Sequence, residues 1–528
     1  MRMSAVNRID IVAACWIVLI AAFLMGNLSN TPLWQDEAEY ALNALTISWG
    51  SLIPKGSTDG NPALMHETSL YYDSNDPKYE YLPTHYLYTL YVTLHGWVPY
   101  YFVKLGLEIF GKNEFGPRFF SVIFFALSLW VLYLITREKC NWILAVSVVA
   151  CCSLMPTMLG FAMQARWYAY MLCFHLSAIY FFMGILKNNK GTQWFLWAVS
   201  EVLLYYTFIP ASVLHQVVFV LFILIARRDL LCRYVACASM VGFFALPHLI
   251  ITRFPQLALK IPGRHIIEIK DVFRILYLLE WNPFLILLGL AFFARFAIII
   301  AKRARKQNGL NTGLQFDFLC ILLICINFLI SSYTSPLASF YPRVFLPIVP
   351  IVIYAAVSFV LTTNKGKPQY SALRLIALVG LLLFLIFSPL KIKAAKAMDL
   401  FSLGFQPTQG HSTDAKWVLD VIRHIESTGS KYPVVLTSFE HFVFNYYSDY
   451  KTELIWPLRK EYIDNIYGDL FIVVEEGNLL RDRCETFLPS KSACKEECTM
   501  KHFARASSCN RVDISNVTIY ECLNDSER

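Results

Sequence analysis

Long apolar runs separated by short polar segments fill most of the first 390 residues of the chain. Most of these runs are close to the roughly 20 residues that a helix needs to cross a bilayer. They lie at 10–28, 118–136, 142–159, 168–186, 194–208, 210–226, 234–251, 272–300, 317–332, 344–361 and 372–390. The pattern therefore predicts an all-α polytopic membrane protein with about eleven transmembrane helices.

Basic residues between these runs indicate the orientation of the chain. Clusters such as Arg227 with Arg228, and Arg303 with Arg305, fall in alternate loops, on the side of the N-terminus. Loops rich in Lys and Arg remain in the cytoplasm. We therefore predict a cytoplasmic N-terminus, and with an odd number of spans the loop 29–117 and the tail 391–528 face the extracytoplasmic side.

The tail has a different pattern from the rest of the chain. The stretch "AKWVLDVIRHI" has helical spacing, whereas "PVVLTS", "LFIVV" and "VTIYEC" are typical of short strands. We predict two domains: a transmembrane domain over 1–390, which includes the extracytoplasmic loop 29–117, and a small extracytoplasmic α/β domain over 391–528.

Five cysteines crowd the end of the tail: Cys484, Cys494, Cys498, Cys509 and Cys522. In an oxidising compartment this spacing predicts two disulfides and one remaining thiol. A zinc site is the alternative, although the tail has no CxxC pair.

Composition excludes several classes of protein. Of the 528 residues, 56% are hydrophobic and only 16% are charged, which leaves too little polar surface for a soluble multidomain protein. The net charge of +8 could suggest nucleic acid, but the basic residues cluster between apolar runs, where the membrane orientation explains them. We therefore expect no nucleic-acid partner.

The stretch "WQDEAEYALNAL" in the first outer loop places carboxylates beside the membrane. Its apolar spacing predicts an amphipathic helix with Asp36 and Tyr40 on one face. Asp36 and Glu37 could simply charge the first turn of that helix, or they could act on a substrate at the interface. Other carboxylates of the same loop could hold a divalent metal, but the loop has no DxD motif to support one, so we predict no metal site.

Cations and an imidazole recur among aromatic residues on the predicted outer side. They occur in "HGWVPYYF", "QARWYAY" and "FYPRVFLPIVP", which contain His95, Arg166 and Arg343. A further outer loop contains Arg264. The aromatic residues could instead form an interfacial belt, and the arginines could snorkel to the interface.

These motifs, in this order, resemble those of the GT-C membrane glycosyltransferases, over residues 10–390. The similarity is to the branch that contains the bacterial aminoarabinose transferases, the lipopolysaccharide-core transferases and, more distantly, the protein O-mannosyltransferases. It implies a GT-C fold and transfer of a sugar, with inversion, from a polyprenyl-phosphate donor to a glycan, lipid or protein acceptor. It also implies no tightly bound cofactor.

The resemblance assigns roles to individual positions. Asp36 and Glu37 match the acidic motif of the first loop, in which the acid acts on the acceptor or aligns it. The implied donor-phosphate contacts are Arg166, Arg343, His95 and Arg264, and the implied substrate contacts are Tyr40, Tyr168 and Tyr100. Arg suits this role because its guanidinium forks onto phosphate oxygens. The similarity to bacterial members implies undecaprenyl phosphate, an inner-membrane location and a function in the cell envelope, and dolichyl phosphate is the eukaryotic counterpart.

A polytopic lipid transporter or flippase is the competing class, and a non-catalytic scaffold is a third. The predicted spans contain few acidic residues beyond Glu201 and no internal repeat. A long outer loop with an Asp-Glu pair favours the enzyme.

Overall fold

A computed structural model describes the chain in discontinuous segments. These are residues 8–30, 32–33, 35–46, 96–139, 142–252, 315–316, 318–324, 326, 346–347, 349–351, 353–354, 416–430, 433–437, 441–448, 450–454, 469–475, 510–514 and 517–522. The chain divides into two compact units. Unit 1 comprises residues 1–26, 93–99 and 120–400, and unit 2 comprises residues 27–92, 100–119 and 401–528.

The described residues of the first half of the chain form a series of helices, and those after residue 97 follow one another with short connections. The helices are α1 (Arg8–Met25), α2 (Gln35–Thr46), α3 (Val98–Phe110), α4 (Phe115–Lys139), α5 (Trp142–Leu154), α6 (Pro156–Ala162), α7 (Tyr168–Asn188), α8 (Gly191–Tyr205), α9 (Ile209–Ala226) and α10 (Leu231–Thr252). A single 3-10 turn, Arg228–Leu230, leads into α10.

Four segments of the described residues are long and apolar enough to cross a membrane: Phe115–Glu138, Tyr168–Asn188, Ile209–Ala226 and Arg228–Leu249. Shorter apolar helices cover Asp10–Met25 and Trp142–Leu154. These helices support an integral membrane protein and lie where apolar runs were predicted. The predicted spans at 272–300 and 372–390 lie outside the described residues, so the total of eleven stays a prediction.

One predicted span is interrupted. The apolar run 142–159 was predicted as a single helix, but α5 ends at Leu154 and α6 begins at Pro156. Proline has no backbone N–H and clashes with the preceding turn, so the helix ends before it and a new helix starts with proline in its first turn.

Helices α7 and α8 of unit 1 form a tight hairpin. Only two residues join them, and the first, Asn189, adopts the left-handed conformation with φ 47°. A side chain at Gly184 on α7 would lie 2.6 Å from the Gln193 amide oxygen on α8. Glycine at this position therefore allows the close approach of the two helices.

Unit 2 contains a five-stranded mixed sheet in the order β2-β1-β3-β5-β4. The strands are β1 (Val434–Thr437), β2 (Lys451–Leu454), β3 (Leu470–Glu475), β4 (Asn510–Ile514) and β5 (Val517–Cys522). β1 runs parallel to β2 and β3, and β5 runs antiparallel to β3 and β4. The segments predicted as strands in the tail are confirmed as β1, β3 and β5.

Two helices of the tail accompany this sheet, α11 (Lys416–Ser427) and α12 (His441–Tyr447). The predicted helix in "AKWVLDVIRHI" is α11, and its apolar positions form one buried face: Trp417, Val418, Val421, Ile422 and Ile425. Gly429, with φ 74°, follows the end of α11 and suits the left-handed geometry of a helix terminus.

Of the five cysteines in the tail, Cys522 belongs to β5, and the other four lie outside the described residues. The two predicted disulfides therefore stay a prediction.

Candidate active site

Helix α2 of unit 2 carries the predicted acidic motif. Asp36 lies in its first turn, and Glu37 follows with only 1% of its surface exposed. Arg118, at the start of α4, donates from Nε to Glu37 Oε1 at 2.8 Å and from Nη2 to Oε2 at 2.5 Å. Two parallel bonds of this kind form the strongest and most directional pairing that a carboxylate makes with arginine.

Arg118 also binds the chain that leads into α2. Its Nη1 donates to the Leu28 carbonyl at 2.8 Å, and its Nη2 donates to the Pro32 carbonyl at 3.1 Å. Arg118 is itself 1% exposed. One buried guanidinium therefore fixes the approach to α2 and its first turn, and with them the backbone position of Asp36.

Tyrosines at the end of α12 hold the same region of unit 2. The Leu33 backbone N–H donates to the Tyr447 hydroxyl at 2.7 Å, and that hydroxyl donates to Glu114 at 3.1 Å. The neighbouring Tyr446 hydroxyl donates to the Asn113 carbonyl at 3.0 Å. Burial raises the pKa of both tyrosines above the ordinary value, and the negative charge of Glu114 raises it further.

Tyr40 and Tyr100, both predicted to bind substrate, contact each other. Their rings stack with centroids 4.4 Å apart and planes inclined by 15°. The exposed fraction is 0% for Tyr40 and 1% for Tyr100. Each ring thus covers one face of the other, which removes that face from contact with a sugar and joins α2 to α3.

Arg166 and Tyr168 lie together in unit 1, at the turn that precedes α7. Arg166 Nη1 donates to the Tyr168 hydroxyl at 3.0 Å, and its guanidinium lies 5.3 Å from the centre of the Tyr168 ring. Arg166 is 1% exposed. Trp167, between them in sequence, stacks on Phe208 at 3.9 Å and anchors the turn. The structure therefore holds a buried cation against the Tyr168 ring.

The remaining predicted phosphate contacts lie outside the described residues: His95, Arg264 and Arg343. Sequence reasoning missed Arg118 and Tyr447 as partners of the acidic loop. The only available signal was an arginine at the start of an apolar run, in "GPRFF". Within the described segments, no group of three His, Cys, Asp or Glu side chains could hold a metal ion.

Residues 94–251 match the family described as dolichyl-phosphate-mannose-protein mannosyltransferase. ArnT from Cupriavidus metallidurans in the apo state is similar in structure, with TM-score 0.55 and 13% identity, over 97% of this chain and 98% of that one. The same protein bound to undecaprenyl phosphate has TM-score 0.52 and 12% identity, over 99% of each chain. No curated protein matches by sequence.

The archaeal oligosaccharyltransferase AglB from Archaeoglobus fulgidus, in complex with an inhibitory peptide and a dolichol-phosphate, is also similar. Its TM-score is 0.50 at 11% identity, over 87% of this chain and 69% of AglB. The chain has the GT-C fold. This confirms the fold that the resemblance of the motifs implied. The matched region of this GT-C protein contains Arg118, Arg166 and Tyr168, whereas Asp36 and Glu37 precede it.

Proposed function

We propose that this GT-C protein is an inverting glycosyltransferase that moves a sugar from a polyprenyl-phosphate carrier to an acceptor on the extracytoplasmic side of the membrane. The acceptor is a glycan, a lipid or a protein. The undecaprenyl phosphate bound by ArnT and the dolichol-phosphate bound by AglB support a carrier of this class. We place the protein in a bacterial inner membrane, with undecaprenyl phosphate as the carrier.

The buried pair between Glu37 and Arg118 is the observation on which the proposal depends. It fixes the first turn of α2, where Asp36 lies, at a defined position in unit 2. Catalytic groups must be held within a fraction of an ångström by supporting contacts. Both oxygens of Glu37 bind Arg118, so we assign Glu37 a positioning role and leave the reaction with the acceptor to Asp36.

In the proposed reaction, Asp36 takes the proton from the acceptor hydroxyl or amine as that atom bonds to the anomeric carbon. The bond from the anomeric carbon to the phosphate oxygen breaks, and the carrier leaves as its phosphate. A single displacement inverts the anomeric centre. General-base help of this kind contributes about 10² to 10⁴ in rate.

Positive charge near the leaving phosphate is the second requirement. We propose Arg166 as one contact, because a buried guanidinium interacts strongly with a phosphate group. Arg343, His95 and Arg264 remain proposed contacts, and Tyr168, Tyr40 and Tyr100 remain proposed substrate neighbours. The proposed domains are 1–390 for catalysis and 391–528 for the extracytoplasmic domain, with disulfides in its tail.

The test is sugar transfer by the purified protein in nanodiscs. The assay uses a panel of radiolabelled undecaprenyl-phosphate and dolichyl-phosphate sugars with membrane extract as acceptor. The Asp36→Asn variant is compared with Glu39→Gln, which removes a carboxylate from the same helix. We expect transfer by the wild type and by Glu39→Gln but not by Asp36→Asn. Movement of a polyprenyl lipid across the bilayer without any transfer would support the transporter instead.

A further inference from the structure

Three titratable side chains form a continuous hydrogen-bonded chain inside unit 1. Glu201 of α8 lies 2.7 Å from His215 Nδ1 of α9, and His215 Nε2 lies 2.6 Å from His175 Nδ1 of α7. All three residues are 0% exposed. Helices α7 and α9 are among the segments long enough to span the membrane. An ionisable group buried in such helices is costly unless it has a function or a close partner.

Polar neighbours complete this cluster, which we call the Glu201 chain. The Gln216 amide donates to Glu201 Oε2 at 3.0 Å, and the Tyr234 hydroxyl of α10 lies 2.9 Å from the Gln216 side-chain oxygen. Tyr234 is thus the titratable group that approaches from α10. The Pro347 backbone lies next to the His175 ring. Within the described part of the chain, no lysine or arginine is paired with Glu201.

A metal ion does not fit between the two histidines. Zinc binds imidazole nitrogen at about 2.0–2.1 Å, so two ligands on a tetrahedral ion lie about 3.3 Å apart. The facing nitrogens of His175 and His215 are only 2.6 Å apart, which is a hydrogen-bond distance.

Counting protons decides the charge of the cluster. Each of the two hydrogen bonds needs one proton, and two protons leave an ionised Glu201 beside two neutral imidazoles, for a net charge of −1. A third proton makes the cluster neutral. It sits on the Glu201 carboxyl, which donates to His215 Nδ1, while His215 donates from Nε2 to His175 Nδ1. The same three protons also allow an ion pair, with Glu201 ionised and His215 protonated. In a fully buried apolar site, both a net charge of −1 and this ion pair cost more than the neutral arrangement, because the site solvates charges poorly.

We propose that the Glu201 chain is a proton-binding site in the membrane domain, which keeps Glu201 as a neutral carboxylic acid at neutral pH. This site is additional to the transferase residues. The proton can move along the chain because each imidazole accepts on one nitrogen and donates from the other. Unfolding above about pH 5 ionises Glu201 and releases this proton to solvent.

The variant Glu201→Gln tests the proposal directly. A glutamine amide donates to His215 and accepts from Gln216, so it reproduces the pattern of a protonated carboxyl without binding a proton. We therefore expect this variant to fold and to be at least as stable as the wild type at neutral pH. Glu201→Leu breaks the chain and should destabilise the protein.

The pH dependence supplies the decisive measurement. Because the folded wild type holds one proton on Glu201 that the unfolded chain loses, the contribution of this proton to stability should fall as pH rises from about 5 to about 8. The two neutral histidines gain protons on unfolding below about pH 6.5, and the Glu201→Gln variant shares that effect. Relative to Glu201→Gln, the unfolding equilibrium constant of the wild type should increase about tenfold per pH unit. Unfolding in mixed detergent micelles measures this ratio. Glu138→Gln, which removes a partly exposed carboxylate from α4, should keep the slope of the wild type.

Infrared spectroscopy gives a second readout that does not depend on reversible unfolding. The wild type should show a protonated carboxyl band that shifts in D₂O, is absent from Glu201→Gln and remains in Glu138→Gln. A wild type without this band, together with a Glu201→Gln variant that is less stable at every pH, would overturn the proposal, because Glu201 would then be ionised.

Discussion

Arg118 binds both carboxylate oxygens of Glu37, with neither side chain more than 2% exposed to solvent. The two residues are 81 positions apart in sequence. This contact explains why an acid next to the proposed catalytic residue is present without being free to act as a base. It also distinguishes the positioning role proposed for Glu37 from the catalytic role proposed for Asp36, which the Asp-Glu motif alone does not distinguish.

Removing one partner of this pair should destabilise the protein strongly. Glu37→Leu leaves a buried guanidinium without its carboxylate, which costs about 3–5 kcal/mol. Arg118→Met should cost a similar amount, whereas the double variant should cost less than the sum of the two. A double-mutant cycle on thermal stability checks this. Strictly additive losses would mean that the pair is not coupled.

Substitutions of Asp36 and Glu37 should differ in their effects on the transfer rate and on Tm. Asp36→Asn should lower kcat by about 10² to 10⁴ with little change in Tm, because it removes a base. Glu37→Gln should lower Tm as well, since one oxygen of the bidentate pair is replaced by a donor. Parallel measurement of transfer rate and Tm distinguishes the two. If Asp36→Asn loses as much Tm as Glu37→Gln, Asp36 is structural.

Tyr447→Phe should destabilise unit 2 by about 1–3 kcal/mol. The substitution leaves the Leu33 backbone N–H without its acceptor and removes the donor to Glu114, and a buried unsatisfied group has a cost of this size. Hydrogen exchange at the Leu33 amide should become faster. Tyr520→Phe in β5 is the matched control, and an equal loss there would show a general effect of removing a tyrosine hydroxyl.

Alkaline pH should unfold unit 2 through the same tyrosines. The pKa of Tyr446 and of Tyr447 is raised in the folded protein, so the folded state binds these protons more tightly than the unfolded chain. Their contribution to stability is complete below about pH 10 and is lost as pH rises above that value. Circular dichroism over this range should show a shallower decline for the double variant Tyr446→Phe/Tyr447→Phe. If the double variant loses structure with rising pH as steeply as the wild type, the raised pKa values of the two tyrosines are contradicted.

Gly96→Ala should disrupt unit 1. A Cβ at this position would lie 1.8 Å from the Tyr206 carbonyl oxygen, and the Gly96 N–H donates to the Thr207 carbonyl at 3.2 Å. Backbone atoms cannot move aside as the end of a flexible side chain can. The free energy of unfolding should therefore decrease by about 3 kcal/mol or more. Gly191→Ala, where a Cβ meets open space, should be neutral or stabilising. Thermal unfolding of both variants measures the difference.

The spacing of apolar residues predicted many of the described helices and strands, because a helix face or a strand that is buried needs apolar residues at regular positions in the sequence. Helix α11 and strand β3 illustrate this. The break at Pro156 was missed because hydropathy treats proline as one more residue of an apolar run. The partners of Glu37 and Glu201 were missed for another reason: they lie on other helices, and a local pattern carries no information on which side chains of two helices meet.

The bonds of Arg118 to Leu28, Pro32 and Glu37 have a consequence for how this protein can diverge in evolution. They bring together the two ends of a chain segment of about eighty residues, so α2 keeps its place whatever that segment contains. The cost of closing a loop grows only slowly with its length. Insertions and deletions between residues 47 and 95 can therefore accumulate without displacing the acidic turn.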